Sequence, residues 1–374
     1  MRDSKLNLKS FLLIGVGGSG CSAVKNIYEK DKSIPILLID TDNESLASVE
    51  NDKVFPVGSS VTNGLSCGGD VELGRQSIEK EASKLRSIFS NKDILLIVCG
   101  LGGGAATGIT PVLARVSREM NTQSLFLVSL PFAFEGKQRM EISEDAIRRI
   151  RSNADAVVQL PNERLKRESK GKSSQVGFEI SHKYMADAAE SLWGICNNSG
   201  YCGLDFSSIH TLLRSCDGFC HIASAKSCEL DQSTIIVNDL INHPLMNKGL
   251  LLKGASGIVI FIRGSESMRI DEVELIMDNL CNYMSDDTHI NFGISVDKKI
   301  EGIKVVLLVT EEWRDSLIDN DSSIFSNRSG NSQGELAIET NINKGIFEDM
   351  DATVLNSEDY DVPTYIRKKI KLPR

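Results

Sequence analysis

Glycines are concentrated at residues 100–108, directly after a run of apolar residues at 94–99. The run has a length typical of a strand that is buried on both faces, and apolar residues recur at helical spacing after the glycines, from residue 111 to 116. A strand, a turn of bare backbone and a helix N-terminus form an anion-binding site, because amide N–H groups can approach phosphate oxygens and the helix dipole favours negative charge. Thr107 can add a hydroxyl group. The segment predicts a phosphate-binding turn rather than a flexible linker or a purely structural turn.

A second glycine-rich turn, at residues 15–20, follows a predicted strand at 11–14 and precedes a helix expected at 21–29. The next predicted strand, at 34–39, is followed directly by Asp40. A GxGxxG turn followed about twenty residues later by an acid is also typical of a dinucleotide-binding Rossmann domain, in which the acid binds a ribose hydroxyl. The N-terminal segment alone therefore favours an NAD-dependent dehydrogenase.

A third glycine cluster, at residues 63–70, precedes a predicted polar helix at 71–90. Further strands are predicted at 124–130 and 156–160, with a helix between them at 141–151. Strands that alternate with helices predict a mostly parallel sheet with helices on both faces. Because the loops that follow parallel strands meet at one edge of the sheet, three glycine-rich loops there suit a nucleoside triphosphate better than a dinucleotide.

The composition is that of a globular protein with more than one domain. The 374 residues are 41% hydrophobic and 25% charged, and the net charge of −9 argues against a general nucleic-acid-binding protein. We expect no signal peptide and no transmembrane segment, since the apolar runs are far shorter than the ~20 residues that a membrane helix needs. The expected location is the cytoplasm, where the nine cysteines would be reduced, and no CxxC spacing indicates a metal site.

Five segments occur in the order and at the spacing of the FtsZ family, the bacterial relatives of tubulin, and the chain resembles that family. They are residues 15–20, 63–75, 100–108, 131–140 and 161–165. The tubulin signature GGGTGTG reads GGGAATG at residues 102–108, and the PFxFEG segment is intact at 131–136. The likeness extends over residues 11–313. Several independent motifs in register make it specific, and a Rossmann dehydrogenase does not predict them.

The resemblance implies an α/β tubulin/FtsZ fold: a Rossmann-like, parallel-sheet GTP-binding domain, a long central helix and a smaller α/β C-terminal domain. The implied segments are an N-terminal extension at 1–10, the GTP-binding domain at 11–175, the central helix at 176–198, the C-terminal domain with the catalytic (synergy) loop at 199–313, a disordered linker at 314–358 and a partner-binding peptide at 359–374. The helix is also predicted by its own period, because Ile180, Tyr184, Ala188 and Leu192 share one face. The polar residues 166–175 before it are predicted to form a loop.

The resemblance also implies that GTP or GDP binds with Mg²⁺. The residues that would face the phosphates are Gly17, Gly18, Gly68, Gly69, Gly102, Gly103, Gly104 and Gly108, with Thr107 beside them. Glu135 would hold the ribose, Arg139 would neutralise phosphate charge, and Asn162 would contact the guanine edge, because an amide both donates and accepts hydrogen bonds. Asp40 is a further candidate for nucleotide binding.

Two asparagines that contact the base in the family have no counterpart in this chain. Ser22 stands at one of the positions, in the first helix. On the central helix, only Met185 or Ala186 stands near the other. The departures therefore fall at the base end of the implied site.

The loop that reads NxDxxD in the family enters the nucleotide site of the next subunit, where it orients water and metal at the γ-phosphate. Here Asp205 is retained, whereas Gly203 replaces the asparagine and Ser208 replaces the second aspartate. A serine hydroxyl is uncharged at neutral pH and is a poor base. The resemblance thus implies a GTPase whose hydrolysis is slow.

The C-terminal residues resemble the peptide through which FtsZ proteins dock on membrane tethers and regulators. The implied partner-binding residues are Asp361, Pro363, Tyr365, Ile366 and Arg367. The implied function is head-to-tail polymerisation into filaments at the division site, because an interface between unlike surfaces gives open filaments. The alternatives are a non-hydrolysing paralogue that acts as a scaffold or co-polymer with a second, active FtsZ and, more distantly, an NAD-binding protein.

Overall fold

A computed structural model describes residues 10–47, 49–197, 219–229, 231–285, 287–297 and 300–311, together with two short strands near the C-terminus. The chain divides into two units, Met1–Asp315 and Ser316–Arg374. The glycine-rich turns and the predicted strands lie in the first unit.

Ten strands of the first unit form one sheet. They are β1 (Phe11–Val16), β2 (Ile36–Asp40), β3 (Val54–Pro56), β4 (Ile94–Gly100), β5 (Gln123–Leu130), β6 (Ala156–Pro161), β7 (Phe219–Ser227), β8 (Gly257–Gly264), β9 (His289–Val296) and β10 (Ile303–Glu311). Their order in the sheet is β3-β2-β1-β4-β5-β6-β7-β10-β8-β9. All neighbours are parallel except β10, which runs antiparallel to β7 and β8. The predicted mostly parallel sheet is therefore confirmed.

Helices connect most of these strands. They are α1 (Gly17–Lys30), α2 (Asn43–Leu46), α3 (Ser59–Thr62), α4 (Val71–Glu79), α5 (Ala82–Phe89), α6 (Gly104–Glu119), α7 (Lys137–Arg151), α8 (Lys166–Ser169), α9 (Ser174–Asn197), α10 (Gln232–Asn242), α11 (Leu250–Lys253) and α12 (Ile270–Cys281). Short 3₁₀ turns lie at Asn51–Lys53, Ala133–Glu135, Asn162–Leu165 and Pro244–Gly249. The long helix α9 is the predicted central helix.

Two predictions about helices are wrong. The single helix expected at residues 71–90 is divided into α4 and α5, because Glu81 leaves the helical conformation with φ −101° and ψ 5°. The apolar period continues across this break, so periodicity gives no sign of it. The loop expected at residues 166–175 contains one helical turn, α8, and α9 begins at Ser174.

The sheet has a separate apolar cluster on each face. Along β4, Leu96 and Val98 belong to one cluster, whereas Leu95 and Ile97 belong to the other, as the alternation of side chains along a strand requires. The apolar side of α9 joins the first cluster, and that of α6 joins the second. Burial on both faces explains why the strand at 94–99 is a continuous apolar run.

In the second unit, β11 (Val354–Leu355) pairs antiparallel with β12 (Glu358–Asp359). This two-stranded ladder lies across the boundary predicted between the linker at 314–358 and the peptide at 359–374. The boundaries of the six segments inferred from the resemblance stay predictions.

Candidate functional site

The glycine-rich turns that follow β1 and β4 meet where the order of the strands reverses. From β1 the chain continues to β2 and β3 on one side, and from β4 it continues to β5 and β6 on the other. Val16 and Cys99 are paired at the carboxyl ends of β1 and β4, so the two turns leave the sheet side by side. In open α/β sheets the crevice at such a reversal is where ligands bind.

Two helices begin at this crevice. The first residue of α1 is Gly17, directly after β1, and the first residue of α6 is Gly104, after the turn at residues 101–103. Neither Val16 nor Gly103, which precede these helices, caps its helix with a side chain. The first N–H groups of both helices are therefore left for a ligand, and the helix dipoles favour an anion.

Four glycines of the predicted phosphate site border open space. A Cβ atom added to Gly18, Gly68, Gly69 or Gly103 would have no neighbouring atom within 4 Å. Gly68 and Gly69 have φ angles of +56° and +90°, which residues other than glycine rarely adopt. Bare backbone next to open space is the arrangement that allows N–H groups to approach phosphate oxygens.

The other glycines of the predicted site serve the packing of the protein itself. A Cβ on Gly17 would lie 2.8 Å from the Cβ of Ala106, and one on Gly104 would lie 2.7 Å from the carbonyl oxygen of Asp70. The Gly104 contact brings the loop at 63–70 against the start of α6. A Cβ on Gly108 would overlap the backbone of α4. Close packing therefore explains these three glycines, and a contact between their backbone and a nucleotide stays a prediction.

Gly102 and Thr107 hold the turn between β4 and α6 in shape. Gly102 has a φ angle of +101°. Its N–H donates a 2.9 Å hydrogen bond to Oγ1 of Thr107, whose side chain is buried. The buried Thr107 hydroxyl thus stabilises the glycine turn. This hydrogen bond alone explains why a threonine suits the position, and the predicted contact of Thr107 with a phosphate stays a prediction.

Asp40 is buried at the end of β2, and its carboxylate accepts hydrogen bonds from its own loop. One oxygen accepts from the Thr41 N–H at 2.7 Å, and the other accepts from the Ser45 hydroxyl at 2.7 Å. Burial raises the pKa of this carboxyl group. Each carboxylate oxygen can still accept a further hydrogen bond, so a contact between Asp40 and a nucleotide stays a prediction.

Glu135 and Arg139 form an ion pair after β5. The Arg139 guanidinium donates to Oε2 of Glu135 at 2.8 Å, and Oε1 of Glu135 accepts the N–H of Phe132 at 2.9 Å. Arg139 is about half exposed, whereas Glu135 is mostly buried. The structure therefore brings the predicted ribose residue and the predicted phosphate residue together, with the arginine on the solvent side.

Asn162 follows β6 and contacts the central helix. Its Oδ1 accepts a 2.6 Å hydrogen bond from the hydroxyl of Ser181, and both residues are buried. With one acceptor site of the amide oxygen used by the serine, the side-chain amide is held in one orientation. The sequence analysis identified Asn162 but did not identify Ser181.

A second contact of this kind joins the first glycine turn to the central helix. Nε2 of His182 lies 3.4 Å from Oγ of Ser19, and burial lowers the pKa of the imidazole, which favours its neutral form. Met185 and Ala186, which stand near the missing asparagine of the central helix, are both buried in the apolar core. The adjacent polar residues Ser181 and His182 are the sequence signal that could have indicated this part of the helix. Ser22 lies on α1, partly buried.

Three phenylalanines lie beside these polar residues. The rings of Phe132 and Phe134 are stacked with their centroids 5.0 Å apart, and Phe178 meets both rings edge-on at 5.6 and 6.2 Å. Phe178 lies one helical turn before Ser181, and Phe134 is 65% exposed. An exposed aromatic face is a surface on which a nucleobase can stack.

Several predicted residues lie outside the described part of the chain. These are Gly203, Asp205 and Ser208 of the predicted catalytic loop and Asp361, Pro363, Tyr365, Ile366 and Arg367 of the predicted partner-binding peptide. Within the residues that the structure describes, no group of three or more His, Cys, Asp and Glu side chains could hold a metal ion. No helix in the described ranges is both long enough and apolar enough to cross a membrane.

Comparison with known proteins matches two family models to the two halves of the first unit. The GTPase domain of the Tubulin/FtsZ family matches residues 10–170, and the C-terminal domain of the FtsZ family matches residues 218–312. Together they match most of the chain.

The chain is also similar to cell division protein FtsZ of Buchnera aphidicola, with 28% identity over 301 residues that cover 80% of this chain and 78% of the relative. It is 25% identical over 300 residues to cell division protein FtsZ 1 of Methanocaldococcus jannaschii, covering 80% of this chain and 82% of the relative. The solved structure of an empty FtsZ dimer from M. jannaschii has the same fold, with a TM-score of 0.73, 24% identity and coverage of 82% of this chain and 89% of that one. The chain therefore belongs to the tubulin/FtsZ family of GTP-binding proteins.

Proposed function

We propose that the chain binds GTP and GDP in the crevice between β1 and β4 and polymerises head-to-tail into filaments that act in bacterial cell division. The observation that carries the proposal is the set of four glycines, Gly18, Gly68, Gly69 and Gly103, which border open space beside two helix N-termini. They come from three separate segments of the chain, so backbone N–H groups can approach a triphosphate from more than one side. Relatives that carry the name cell division protein FtsZ support the cellular role.

At the phosphate end, the N–H groups of these loops would donate to the phosphate oxygens, and the exposed guanidinium of Arg139 would neutralise part of their charge. Mg²⁺ bound with the nucleotide would neutralise part of the charge on the terminal phosphates. This chain's own contribution is to fix the orientation of the phosphates.

At the base end, Asn162 would contact the edge of the guanine while Ser181 holds its amide in place. His182, next to Ser181, contacts Ser19 of the first glycine turn, and Phe178 and Phe134 offer aromatic faces for stacking. Glu135 would accept a hydrogen bond from a ribose hydroxyl.

Titration calorimetry with GTP, ATP and NAD tests the nucleotide proposal. We expect GTP to bind with Mg²⁺ and NAD to bind little, and we expect Gly103→Val to abolish GTP binding. Gly103 has an extended backbone with φ −93° and ψ 166°, which valine adopts readily, so the fold should survive while the side chain occupies the space of a phosphate oxygen.

The matched control is Gly254→Val, a glycine after α11 that also borders open space. This variant carries the same chemical change far from the crevice and should bind GTP normally. Preferential binding of NAD, or normal GTP binding by Gly103→Val, would contradict the proposal.

For catalysis, we infer slow hydrolysis from the sequence of the loop that contains Gly203, Asp205 and Ser208. Loss of a general base or of a metal-orienting group typically lowers a rate by ~10²–10⁴-fold. Nucleotide binding uses the glycine-rich loops and need not change. Filaments with slow hydrolysis would retain GTP at their interfaces and would be longer-lived.

Phosphate release measured with the protein alone and mixed with an active FtsZ tests this inference. We expect slow release from the wild type and faster release from the double variant Gly203→Asn with Ser208→Asp. A rate typical of FtsZ from the unmixed wild type would disprove it. Stimulation only on mixing would favour the alternative, a non-hydrolysing paralogue that co-polymerises with a second FtsZ.

For recruitment, we propose that residues 359–374 dock on membrane tethers or regulators through Tyr365 and Ile366, with Asp361, Pro363 and Arg367 beside them. Deletion of these residues should leave polymerisation intact and remove the protein from the division site in the cytoplasm. Normal localisation of the truncated protein in cells would contradict this role.

A further inference from the structure

Strand β9 is an edge of the ten-stranded sheet. Within the described ranges it pairs only with β8, and no described strand lies on its other side. Its sequence, HINFGISV, contains no charged residue and no proline over eight residues. Proteins usually protect an exposed edge with a charge, a proline or a bulge, because free N–H and C=O groups can pair with another chain. This strand has none of these protections.

The register with β8 shows which backbone groups of β9 face outward. The N–H of His289 donates to the Ser256 carbonyl at 3.3 Å, and the N–H of Asp297 donates to the Gly264 carbonyl at 2.9 Å. In a parallel ladder every second residue bonds to the neighbouring strand. The odd-numbered residues therefore bond to β8, and the N–H and C=O groups of residues 290, 292, 294 and 296 point to the free edge.

We propose that β9 pairs with β9 of a second copy of this chain as two antiparallel strands, with Gly293 of each copy opposite Gly293 of the other. This symmetric contact joins two ten-stranded sheets into one. Because it is symmetric, it differs in kind from the head-to-tail contact of the proposed filaments.

On one face of the new ladder this register matches apolar side chains. Ile290 lies opposite Val296 of the second copy, and Phe292 lies opposite Ile294. In the single chain, Ile290, Phe292 and Ile294 are only partly buried, and Val296 is 40% exposed. Pairing would bury this remaining apolar surface, since side chains that are directly opposite contact each other.

On the other face the register matches polar side chains. The hydroxyl of Ser295 is buried and has no hydrogen-bond partner among the residues that the structure describes. Asn291 of the second copy lies opposite Ser295, within reach of its side-chain amide. His289 lies opposite Asp297 of the second copy, whose carboxylate pairs with Arg263 of its own chain and can accept a further hydrogen bond from the imidazole. Symmetry gives each of these contacts twice.

Cysteine cross-linking without nucleotide tests the register. We expect a disulfide-linked dimer when Ile290→Cys is mixed with Val296→Cys, because opposite residues in such a pair have Cα atoms about 5.5 Å apart, within the range of a disulfide. Each variant alone is the control. It has the same number of cysteines per chain, including the exposed Cys228 and Cys281. In a dimer of one variant, however, the new cysteines of the two copies lie at opposite ends of the ladder and cannot form a disulfide. Equal cross-linking by a single variant, or none in the mixture, would overturn the proposal.

Sedimentation without nucleotide tests the contact itself. We expect the wild type to form a dimer whose population rises with protein concentration. We expect Val296→Lys to raise the Kd of this dimer at least about tenfold, because a charged side chain on an edge strand disfavours pairing and this lysine would face an apolar residue of the second copy. Tyr283→Lys is the matched control, since Tyr283 is 43% exposed and lies just beyond α12 rather than on β9. A monomeric wild type, or an equal effect of both lysines, would overturn the proposal.

Discussion

The two ends of the crevice are built in different ways. At the phosphate end, Gly18 and Gly103 leave backbone N–H groups beside open space, without any side chain. At the base end, buried side chains bond one another, as Ser181 does to Asn162. The phosphate end therefore depends on the conformation of the backbone, whereas the base end depends on the identity of particular side chains.

This difference also separates neighbouring glycines within one motif. Gly103 borders open space, whereas Gly104 and Gly108 are in contact with the backbone of the loop at 63–70 and of α4. The same residue type thus borders open space at one position and is required for packing at the next. A substitution at either kind of position should abolish function, but only one kind should destabilise the fold.

The largest expected effect is that of Gly108→Ala on stability. Its Cβ would overlap the backbone around Val71 and Arg75, and we expect the free energy of unfolding to fall by about 3 kcal/mol or more. In Gly103→Ala the added Cβ would have no atom within 4 Å, so this variant should change the free energy of unfolding by less than about 1 kcal/mol. Urea denaturation of both variants measures the difference, and equal destabilisation would remove the distinction between the two kinds of glycine.

A somewhat smaller effect is expected from pH at the contact between the base end and the C-terminal domain. Arg164, two residues after Asn162, donates to the Leu245 carbonyl at 2.9 Å, and Nδ1 of His243 accepts the Leu245 N–H at 3.3 Å. Burial lowers the pKa of His243 to about 4. The folded state thus favours neutral histidine, and the unfolded chain, with a pKa near 6.5, binds the proton more readily.

The stabilisation from His243 is therefore complete above about pH 6.5 and is lost as the pH falls towards 4, by up to about 3 kcal/mol. His243→Asn keeps an acceptor for the Leu245 N–H but cannot titrate, so its free energy of unfolding should fall less over this range. The remaining slope should include His182, whose pKa burial also lowers. Equal slopes for the variant and the wild type, measured by urea denaturation from pH 4 to 7, would contradict the assignment.

The smallest effect is expected from Ser181→Ala, which removes the donor to Asn162. We expect GTP affinity to fall about tenfold, because the Asn162 amide loses the bond that orients it. Binding of inorganic triphosphate, which occupies only the phosphate end, should not change. Ser191→Ala is the control: Ser191 is an equally buried serine on α9 whose hydroxyl donates to the Asp187 carbonyl within the helix. Equal losses of GTP and triphosphate affinity would show that the two ends are not independent.

Most of the fold could be predicted from local patterns in the sequence. The apolar run at 94–99 predicts β4, and the helical period around Tyr184 and Ala188 predicts α9, because a buried strand and an amphipathic helix each impose their own spacing. The glycine turn after β4 predicts open backbone at a helix N-terminus, which Gly103 provides. The break between α4 and α5 could not be predicted, since the apolar period continues through it.

Amino-acid types and their spacing alone thus determined the mostly parallel sheet, most of its helices and the open glycine turns after β1 and β4. They could be predicted because the side-chain period of a strand or helix and the conformational freedom of glycine are local properties of the sequence. Only the tertiary structure decided which glycines serve packing, that both oxygens of Asp40 are used within its own loop, and that Ser19 meets His182 from 163 residues away. Contacts between such distant residues depend on how strands and helices pack, and a local sequence period carries no information about that packing.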